Sequence, residues 1–137
     1  MLVHDFPVRI YYDDTDAGGV VYHANYLKFC ERARTEYLRT LGFENSGLRA
    51  ENGIIIVVKK IEAEYLAPAR LDDVLTIRSR VISIKNTSFV MEQKAVKEGK
   101  ENFVMNVLLV CTSEDLRPAK IPDAVKEIFL KEMEQNA

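Results

Sequence analysis

Residues 11–34 read YYDDTDAGGVVYHANYLKFCERAR, and this stretch contains the junction at which a strand gives way to a long helix. The carboxylates and paired glycines of DDTDAGG favour a loop. From about His23 onward, apolar residues recur at the three- and four-residue spacing of an amphipathic helix. The predicted apolar stripe consists of Tyr26, Phe29, Cys30, Ala33, Tyr37 and Leu41. Gly42 then stands in the place of a helix C-terminal glycine, so we expect the helix to end at Leu41.

Strand patterns lie on both sides of this helix. Residues 6–12 are rich in β-formers and predict a first strand that ends at Tyr12. Four further strands are predicted after the helix, over residues 54–65, 74–84, 89–97 and 102–112. A terminal helix is predicted over residues 123–133, with Ala124, Ile128 and Phe129 as its apolar positions. A strand, a long helix and then a β-meander is the order of an α+β fold, and a sheet that wraps around the helix would bury it best.

The composition describes an ordinary globular domain. The chain has 137 residues, of which 47% are hydrophobic and 29% charged, and this suits one domain over residues 1–137. Nineteen Lys and Arg against twenty-one Asp and Glu give a net charge of -2, which does not support nucleic-acid binding. The N-terminal residues lack the pattern of a signal peptide, and no apolar run reaches membrane-spanning length. We therefore expect a soluble, cytoplasmic protein without membrane insertion.

Cysteine and histidine spacing argues against a metal site. Cys30 and Cys111 match no CxxC or zinc-binding spacing, so we expect two reduced and mostly buried thiols. The two histidines and the acidic residues show no ligand spacing such as HExxH. No metal and no cofactor are expected.

The loop before the long helix is the part of the sequence that suggests chemistry. A helix N-terminus offers unpaired backbone N–H groups and a positive dipole end, which polarise a carbonyl group and stabilise an oxyanion. Gly18 and Gly19 lack Cβ atoms, so a substrate can approach the backbone closely. Asp16 can attack a carbonyl carbon or activate a water molecule. A structural role, in which Asp16 caps the helix and the glycines form a turn, fits the same residues.

A family resemblance favours the catalytic interpretation. Residues 11–34 resemble the signature of the 4-hydroxybenzoyl-CoA thioesterase family of the hotdog superfamily, and within it the acyl-CoA thioesterase branch associated with the bacterial Tol-Pal system. The likeness is dense over residues 8–42 and looser at IEAEYLAPARLDDVLTI (61–77) and NVLLVCTSEDLRPAKIP (106–122). The resemblance implies a hotdog fold, in which an antiparallel sheet wraps around one long central helix. It also implies a homodimer or homotetramer.

The resemblance also implies roles for individual residues. Asp16 corresponds to the catalytic carboxylate, and the side chains of Tyr12 and His23 correspond to residues that the matching branch also uses. The backbone N–H of His23 would contact the thioester carbonyl. The expected substrate-binding residues are Gly19, Val20, Asn25, Lys59 and Arg70. Lys60 and Arg117 are further candidates for the CoA phosphates, and no local motif selects among the four basic residues.

The predicted function is hydrolysis of acyl-CoA thioesters with short-chain aliphatic or aryl acyl groups. CoA is then part of the substrate, and acyl carrier protein is an alternative carrier. The sequence does not separate a general-base role of Asp16 from a nucleophilic one. Two other functions fit a hotdog fold, namely an acyl-CoA or acyl-carrier dehydratase and a non-catalytic protein that binds acyl thioesters. The run DTDAGGVVYHANY (14–26) resembles hydrolases rather than dehydratases, and the retained carboxylate argues against a pure binding protein.

Overall fold

The computed structural model describes residues 4–136, which form a five-stranded antiparallel sheet and three α-helices. The strands are β1 (His4–Arg9), β2 (Ile55–Tyr65), β3 (Val74–Ile84), β4 (Ser88–Lys97) and β5 (Lys100–Thr112). The helices are α1 (Asn25–Thr40), α2 (Asn45–Asn52) and α3 (Asp123–Asn136), and a short 3-10 helix covers Tyr12–Asp14. The strand order across the sheet is β1-β3-β4-β5-β2, so β1 and β2 are the edges.

Helix α1 packs its apolar stripe against one face of the sheet. The buried residues of α1 are Tyr26, Phe29, Cys30, Ala33, Tyr37 and Leu38. They meet the buried positions of the strands, which alternate along β3, β4 and most of β5 because successive strand residues point to opposite faces. The ring of Tyr26, for example, stacks on Phe103 of β5 at 4.9 Å between ring centroids. The core therefore lies between α1 and the sheet.

Register shifts interrupt three of the strand pairings. They fall between Val58 and Lys60 in β2, between Val81 and Ser83 in β3, and between Ala95 and Val96 in β4. Such bulges bend a strand and increase its twist, which allows the sheet to curve around α1. The predicted antiparallel sheet around one long helix is confirmed.

A buried amide joins the middle of α1 to the sheet. Gln93 of β4 is fully buried, and its Nε2 donates to the carbonyl of Cys30 and to the hydroxyl of Ser79, each at 2.9 Å. Arg34 of α1 donates from its guanidinium to Gln93 Oε1 at 2.9 Å. Because unpaired polar groups are costly in a core, these bonds favour one position of α1 on the sheet.

The first strand and the start of the helix differ from the prediction. Strand β1 ends at Arg9 rather than at Tyr12, because the Asp14 carboxylate accepts the N–H of Tyr11 at 2.8 Å and turns the chain into the 3-10 helix. Helix α1 begins at Asn25 rather than at His23, since residues 22–25 form a separate turn. The helix ends at Thr40, and Gly42, at φ +95°, occupies the predicted C-terminal position.

The remaining differences lie in the two other helices. Helix α2 was not predicted, and it buries Leu48 and ends at Gly53, whose left-handed φ of 66° suits a glycine cap. In α3, Phe129 is buried as predicted, but Val125 is buried in place of Ala124, which is exposed. The other strand bounds lie within two residues of the predicted ones.

Both thiols are buried, as predicted. Burial raises the pKa of Cys30 to about 12 and that of Cys111 to about 11, so both remain protonated at neutral pH. Over residues 4–136 no group of three or more His, Cys, Asp and Glu side chains is arranged to hold a metal ion. None of the helices in that range is long and apolar enough to cross a membrane.

Candidate active site

Asp16 lies at the tip of a tight hairpin between the 3-10 helix and α1. The N–H of Asp16 donates to the carbonyl of Val20 at 2.9 Å, and the N–H of Tyr22 donates to the carbonyl of Asp14 at 2.9 Å. The N–H of Gly19 closes the turn by donating to the Asp16 carbonyl at 3.0 Å. Backbone hydrogen bonds alone therefore fix the chain around Asp16.

The geometry of the hairpin favours glycine at both position 18 and position 19. The N–H of Gly18 donates to Asp16 Oδ1 at 2.8 Å, and a Cβ at Gly18 would lie only 3.2 Å from that oxygen. Gly19 has φ +78°, which a residue with a Cβ rarely adopts. The pair thus lets the Asp16 carboxylate fold back onto its own turn.

The Asp16 carboxylate does not cap the helix. Ala24 occupies the N-cap position of α1, so the capping interpretation of Asp16 is wrong. The residue is exposed, and within residues 4–136 no protein donor reaches its Oδ2 atom. One oxygen of the carboxylate is thus held by the turn, while the other is open to a water molecule or a substrate.

The segment after β2 holds this hairpin in place. The N–H of Val21 donates to the carbonyl of Ala69 at 2.8 Å, and Val20 forms a β-bridge with Arg70. Asp73 orders the segment, since its carboxylate accepts the N–H of Arg70 at 2.8 Å and the Lys97 ammonium at 3.0 Å. Burial alone would raise the pKa of Asp73, but these two partners outweigh it and hold the pKa below its ordinary value.

The turn of residues 22–25 presents backbone donors at the start of α1. The N–H of Asn25 donates to the carbonyl of Tyr22 at 2.9 Å, and the side-chain amide of Asn25 donates to the carbonyl of Asp14 at 2.9 Å. In the described part of the chain, the N–H groups of His23 and Ala24 have no acceptor. Unpaired donors at the positive end of a 16-residue helix suit a carbonyl oxygen or an oxyanion.

The hairpin sets the spacing between the carboxylate and these donors. Thr15 pairs with Val21, which places Asp16 opposite Val20, and His23 follows two residues after Val21 in the turn of residues 22–25. The carboxylate and the donors therefore lie on one short segment whose backbone is fixed by the hairpin and the turn.

An aromatic cluster packs against the same turn. The hydroxyl of Tyr65, the last residue of β2, donates to the carbonyl of His23 at 2.9 Å. The His23 ring lies 4.5 Å from the Tyr22 ring and 6.3 Å from the Tyr65 ring, centroid to centroid. The Tyr65 ring also packs on Phe103 at 5.0 Å. Sequence reasoning missed Tyr65, although an aromatic residue at the strand end before Pro68 was a visible signal.

Tyr12 is not joined to Asp16 within one chain. The Tyr12 side chain is 82% exposed, and no hydrogen bond links its hydroxyl to the Asp16 carboxylate. Its carbonyl accepts both the N–H and the hydroxyl of Thr15, at 3.1 and 2.7 Å, which anchors the base of the hairpin. The backbone of Tyr12 thus supports the loop, while its ring projects from the surface.

The four basic candidates lie at three places in the fold. Arg70 is exposed beside Val20 and is the one next to the Asp16 hairpin. Lys59 is the unpaired residue of the β2 bulge, and Lys60 forms an ion pair with Glu62 at 2.8 Å. Arg117 follows β5 at the end of the sheet opposite to Tyr65, about 30 Å away along β2. Within one chain, only Arg70 lies close to the predicted site.

Comparison with known proteins identifies the family. Residues 11–129 match the family model described as the thioesterase-like superfamily. The chain is 48% identical over 128 residues to the acyl-CoA thioester hydrolase YbgC of Escherichia coli O6:H1, which covers 90% of this chain and 93% of the relative. A "Probable Thioesterase" from Bartonella henselae has a similar solved structure, with a TM-score of 0.85, 37% identity, and coverage of 88% of this chain and 99% of the other.

A third likeness is to BH1999, a gentisyl-coenzyme A thioesterase, with a TM-score of 0.82 and 28% identity. That alignment covers 89% of this chain and 98% of BH1999. These likenesses confirm the predicted hotdog fold, which the antiparallel sheet and central helix already indicated. The protein belongs to the thioesterase-like superfamily.

Proposed function

We propose that this protein is an acyl-CoA thioesterase that hydrolyses short-chain aliphatic or aryl acyl thioesters to the free acid and CoA. One observation supports this proposal most directly. The exposed Asp16 carboxylate lies on a fixed hairpin that leads into the unpaired backbone donors at the start of α1. A carboxylate and a set of oxyanion donors are what hydrolysis of an already activated thioester requires. The YbgC and gentisyl-coenzyme A relatives support this substrate class.

In the proposed reaction the thioester carbonyl oxygen accepts the N–H of His23. Asp16 then takes a proton from a water molecule whose oxygen bonds to the carbonyl carbon, after which the carbon–sulfur bond breaks and the CoA thiolate is protonated. In the alternative route Asp16 attacks the carbon directly, and water hydrolyses the resulting mixed anhydride. Both routes use the open Oδ2 of Asp16. The imidazole of His23 would orient the thioester or protonate the leaving thiolate.

The other proposed contacts follow from where the residues lie. Gly19, Val20 and Arg70 lie together on the hairpin and its supporting segment, where they would contact the acyl thioester and the CoA phosphates. Asn25 would support the site indirectly, since its side-chain amide already donates to the Asp14 carbonyl. The Tyr12 ring and Lys59 would reach a substrate bound by another subunit, because the ring projects from the surface and Lys59 lies in the bulge of the edge strand β2.

A thiol-release assay tests the proposed activity. Acetyl-, butyryl-, hexanoyl- and benzoyl-CoA should each be tested with the purified protein, and at least one should release free CoA at a rate proportional to enzyme concentration. The same panel should include an enoyl-CoA, for which hydration without thiol release would indicate a dehydratase. Binding of acyl-CoA without either reaction would indicate a pure binding protein. Acyl-acyl carrier protein serves as the test of the alternative carrier.

We further propose that the protein is at least a homodimer that associates through the edge strand β2. From Val58 to Tyr65 every residue of β2 is exposed, including Ile61 at 39% and Tyr65 at 51%. An exposed apolar edge strand is normally covered by a partner, because its unpaired N–H and C=O groups invite further strand pairing. The other edge, β1, carries Pro7, which cannot donate to a neighbouring strand.

Replacement of Ile61 by Asp should weaken this association. A charge at the centre of the exposed edge opposes burial against a second copy, so we expect a shift towards monomer in analytical ultracentrifugation at micromolar concentration. Ser83→Asp places the same charge on an exposed residue of β3, away from that edge, and should leave the oligomeric state unchanged. A wild-type protein that is monomeric and fully active would contradict the proposal.

The finer family assignment is also part of the proposal. We place the chain in the 4-hydroxybenzoyl-CoA thioesterase family and in its Tol-Pal-associated branch. The motif of residues 11–34 and the 48% identity to a YbgC protein support that placement.

A further inference from the structure

Three successive carbonyl groups at the start of α1 are satisfied in different ways. The carbonyl of Tyr22 accepts the N–H of Asn25 at 2.9 Å, and the carbonyl of Ala24 accepts the N–H of Leu27 at 3.2 Å. The carbonyl between them, that of His23, receives no backbone donor from residues 4–136. Its partner is the hydroxyl of Tyr65 at 2.9 Å, which comes from a strand 42 residues away in sequence.

The Tyr65 bond controls a backbone donor because a peptide unit is planar. The carbonyl of His23 and the N–H of Ala24 belong to one peptide plane and point in opposite directions. A hydroxyl that fixes the carbonyl therefore also fixes the direction of that N–H. A hydrogen bond accepted by the carbonyl also polarises the peptide, which makes the N–H a stronger donor.

The Tyr65 hydroxyl is itself held in place. Its ring packs on Tyr26 at 5.6 Å and on Phe103 at 5.0 Å between centroids, and the His23 ring stands edge-on to it at 6.3 Å. Tyr26 and Phe103 are both buried in the core. The position of the hydroxyl thus depends on the packing of the sheet against α1 as well as on its contact with the loop.

We infer that Tyr65 is a positioning residue for the hydrolytic site, whose hydroxyl orients the His23–Ala24 peptide so that the N–H of Ala24 acts as a second oxyanion donor beside that of His23. The inference rests on the proposed thioesterase function. It assigns Tyr65 no contact with the substrate. Its effect would be on the transition state, where the carbonyl oxygen becomes negatively charged, more than on binding of the uncharged carbonyl.

Tyr65→Phe tests the inference because it removes only the hydroxyl and retains the packed ring. We expect kcat on the best substrate of the thiol-release panel to fall about 3- to 10-fold, which corresponds to the loss of one ordinary hydrogen bond, while KM changes less than about 2-fold. The oligomeric state and Tm should stay close to those of the wild type. Incorporation of 4-aminophenylalanine at position 65 restores a donor and should restore most of kcat.

Tyr37→Phe is the matched control, since Tyr37 is a buried tyrosine of α1 whose hydroxyl has no hydrogen-bond partner among the described residues. It should leave kcat unchanged. A direct measurement is the Ala24 amide signal in a proton–nitrogen NMR spectrum, which should shift in Tyr65→Phe and not in Tyr37→Phe.

An unchanged kcat in Tyr65→Phe, an unmoved Ala24 signal, or an equal loss in Tyr37→Phe would overturn the inference. In each case the wild-type protein would still hydrolyse acyl-CoA, so the proposed function would stand. An inactive wild-type protein would instead contradict both the proposed function and the inference about Tyr65.

Discussion

Asp16→Asn is expected to lower kcat for acyl-CoA hydrolysis by about 100-fold or more, the size of effect typical of a lost general base or nucleophile. Asparagine has the same shape as aspartate, and its Oδ1 can still accept the N–H of Gly18, which holds the hairpin tip at 2.8 Å in the wild type. The amide can neither take a proton from water nor form a mixed anhydride. The change should therefore remove the chemistry and keep the loop.

Asp13→Asn makes the same chemical change three residues earlier and serves as the control. Asp13 is exposed in the 3-10 helix, and its carboxylate forms no hydrogen bond with the described residues, so kcat should stay near the wild-type value. Circular dichroism, Tm and binding of CoA as product should be similar in all three proteins. If Asp16→Asn keeps more than about a tenth of the wild-type kcat, Asp16 is neither the base nor the nucleophile.

The regular elements were predictable because their patterns are long and periodic. The strands β3, β4 and β5 and most of α1 follow from alternation or from helical spacing, and the burial of Leu75, Ile77 and Val81 matches the period of two. Helix α2 was not predictable in this way, since its sequence NSGLRAEN has one buried apolar residue and an internal glycine. It is stabilised by packing of Leu48 and by the cap at Gly53, which a local pattern does not reveal.

The candidate site was predictable only in its local part. Asp16, Gly18, Gly19 and His23 share one short loop, so the motif places them together in sequence and the structure joins them by a hairpin. The residues that hold this loop come from elsewhere. Asp73 and Tyr65 lie more than 40 residues farther along the chain. Tyr65 bonds to the carbonyl of His23, and Asp73 orders the segment at Arg70 that pairs with Val20.

The roles predicted for Tyr12 and Lys59 stay predictions. Tyr12 and Lys59 were assigned to the site from family resemblance, yet in one chain the first projects from the surface and the second lies in the bulge of an edge strand. Sequence reasoning places residues along the chain, whereas a site completed by a second subunit depends on which surfaces meet. The exposed edge of β2 is therefore the feature that links these two residues to the proposed dimer.

His23 offers a way to separate a side-chain role from a backbone role. His23→Ala removes the imidazole and keeps the N–H, whereas His23→Pro removes both. Proline is favoured at the second position of common β-turns, and His23 occupies that position in the turn of residues 22–25. Because the His23 N–H has no acceptor among residues 4–136, proline costs no protein hydrogen bond there.

We expect His23→Pro to have a kcat about 100- to 1,000-fold below that of His23→Ala, since one oxyanion donor typically contributes that factor. His23→Ala itself should lower kcat more than it raises KM, because the imidazole would act on the thioester or on the leaving thiolate. The Tm of His23→Pro should equal or slightly exceed that of His23→Ala, as proline reduces the conformational freedom of the unfolded chain. Equal kcat values in the two variants would show that the His23 N–H is not an oxyanion donor. A wild-type kcat in His23→Ala, together with a large loss in His23→Pro, would assign the chemistry to Asp16 and the helix N-terminus and leave the imidazole a structural role.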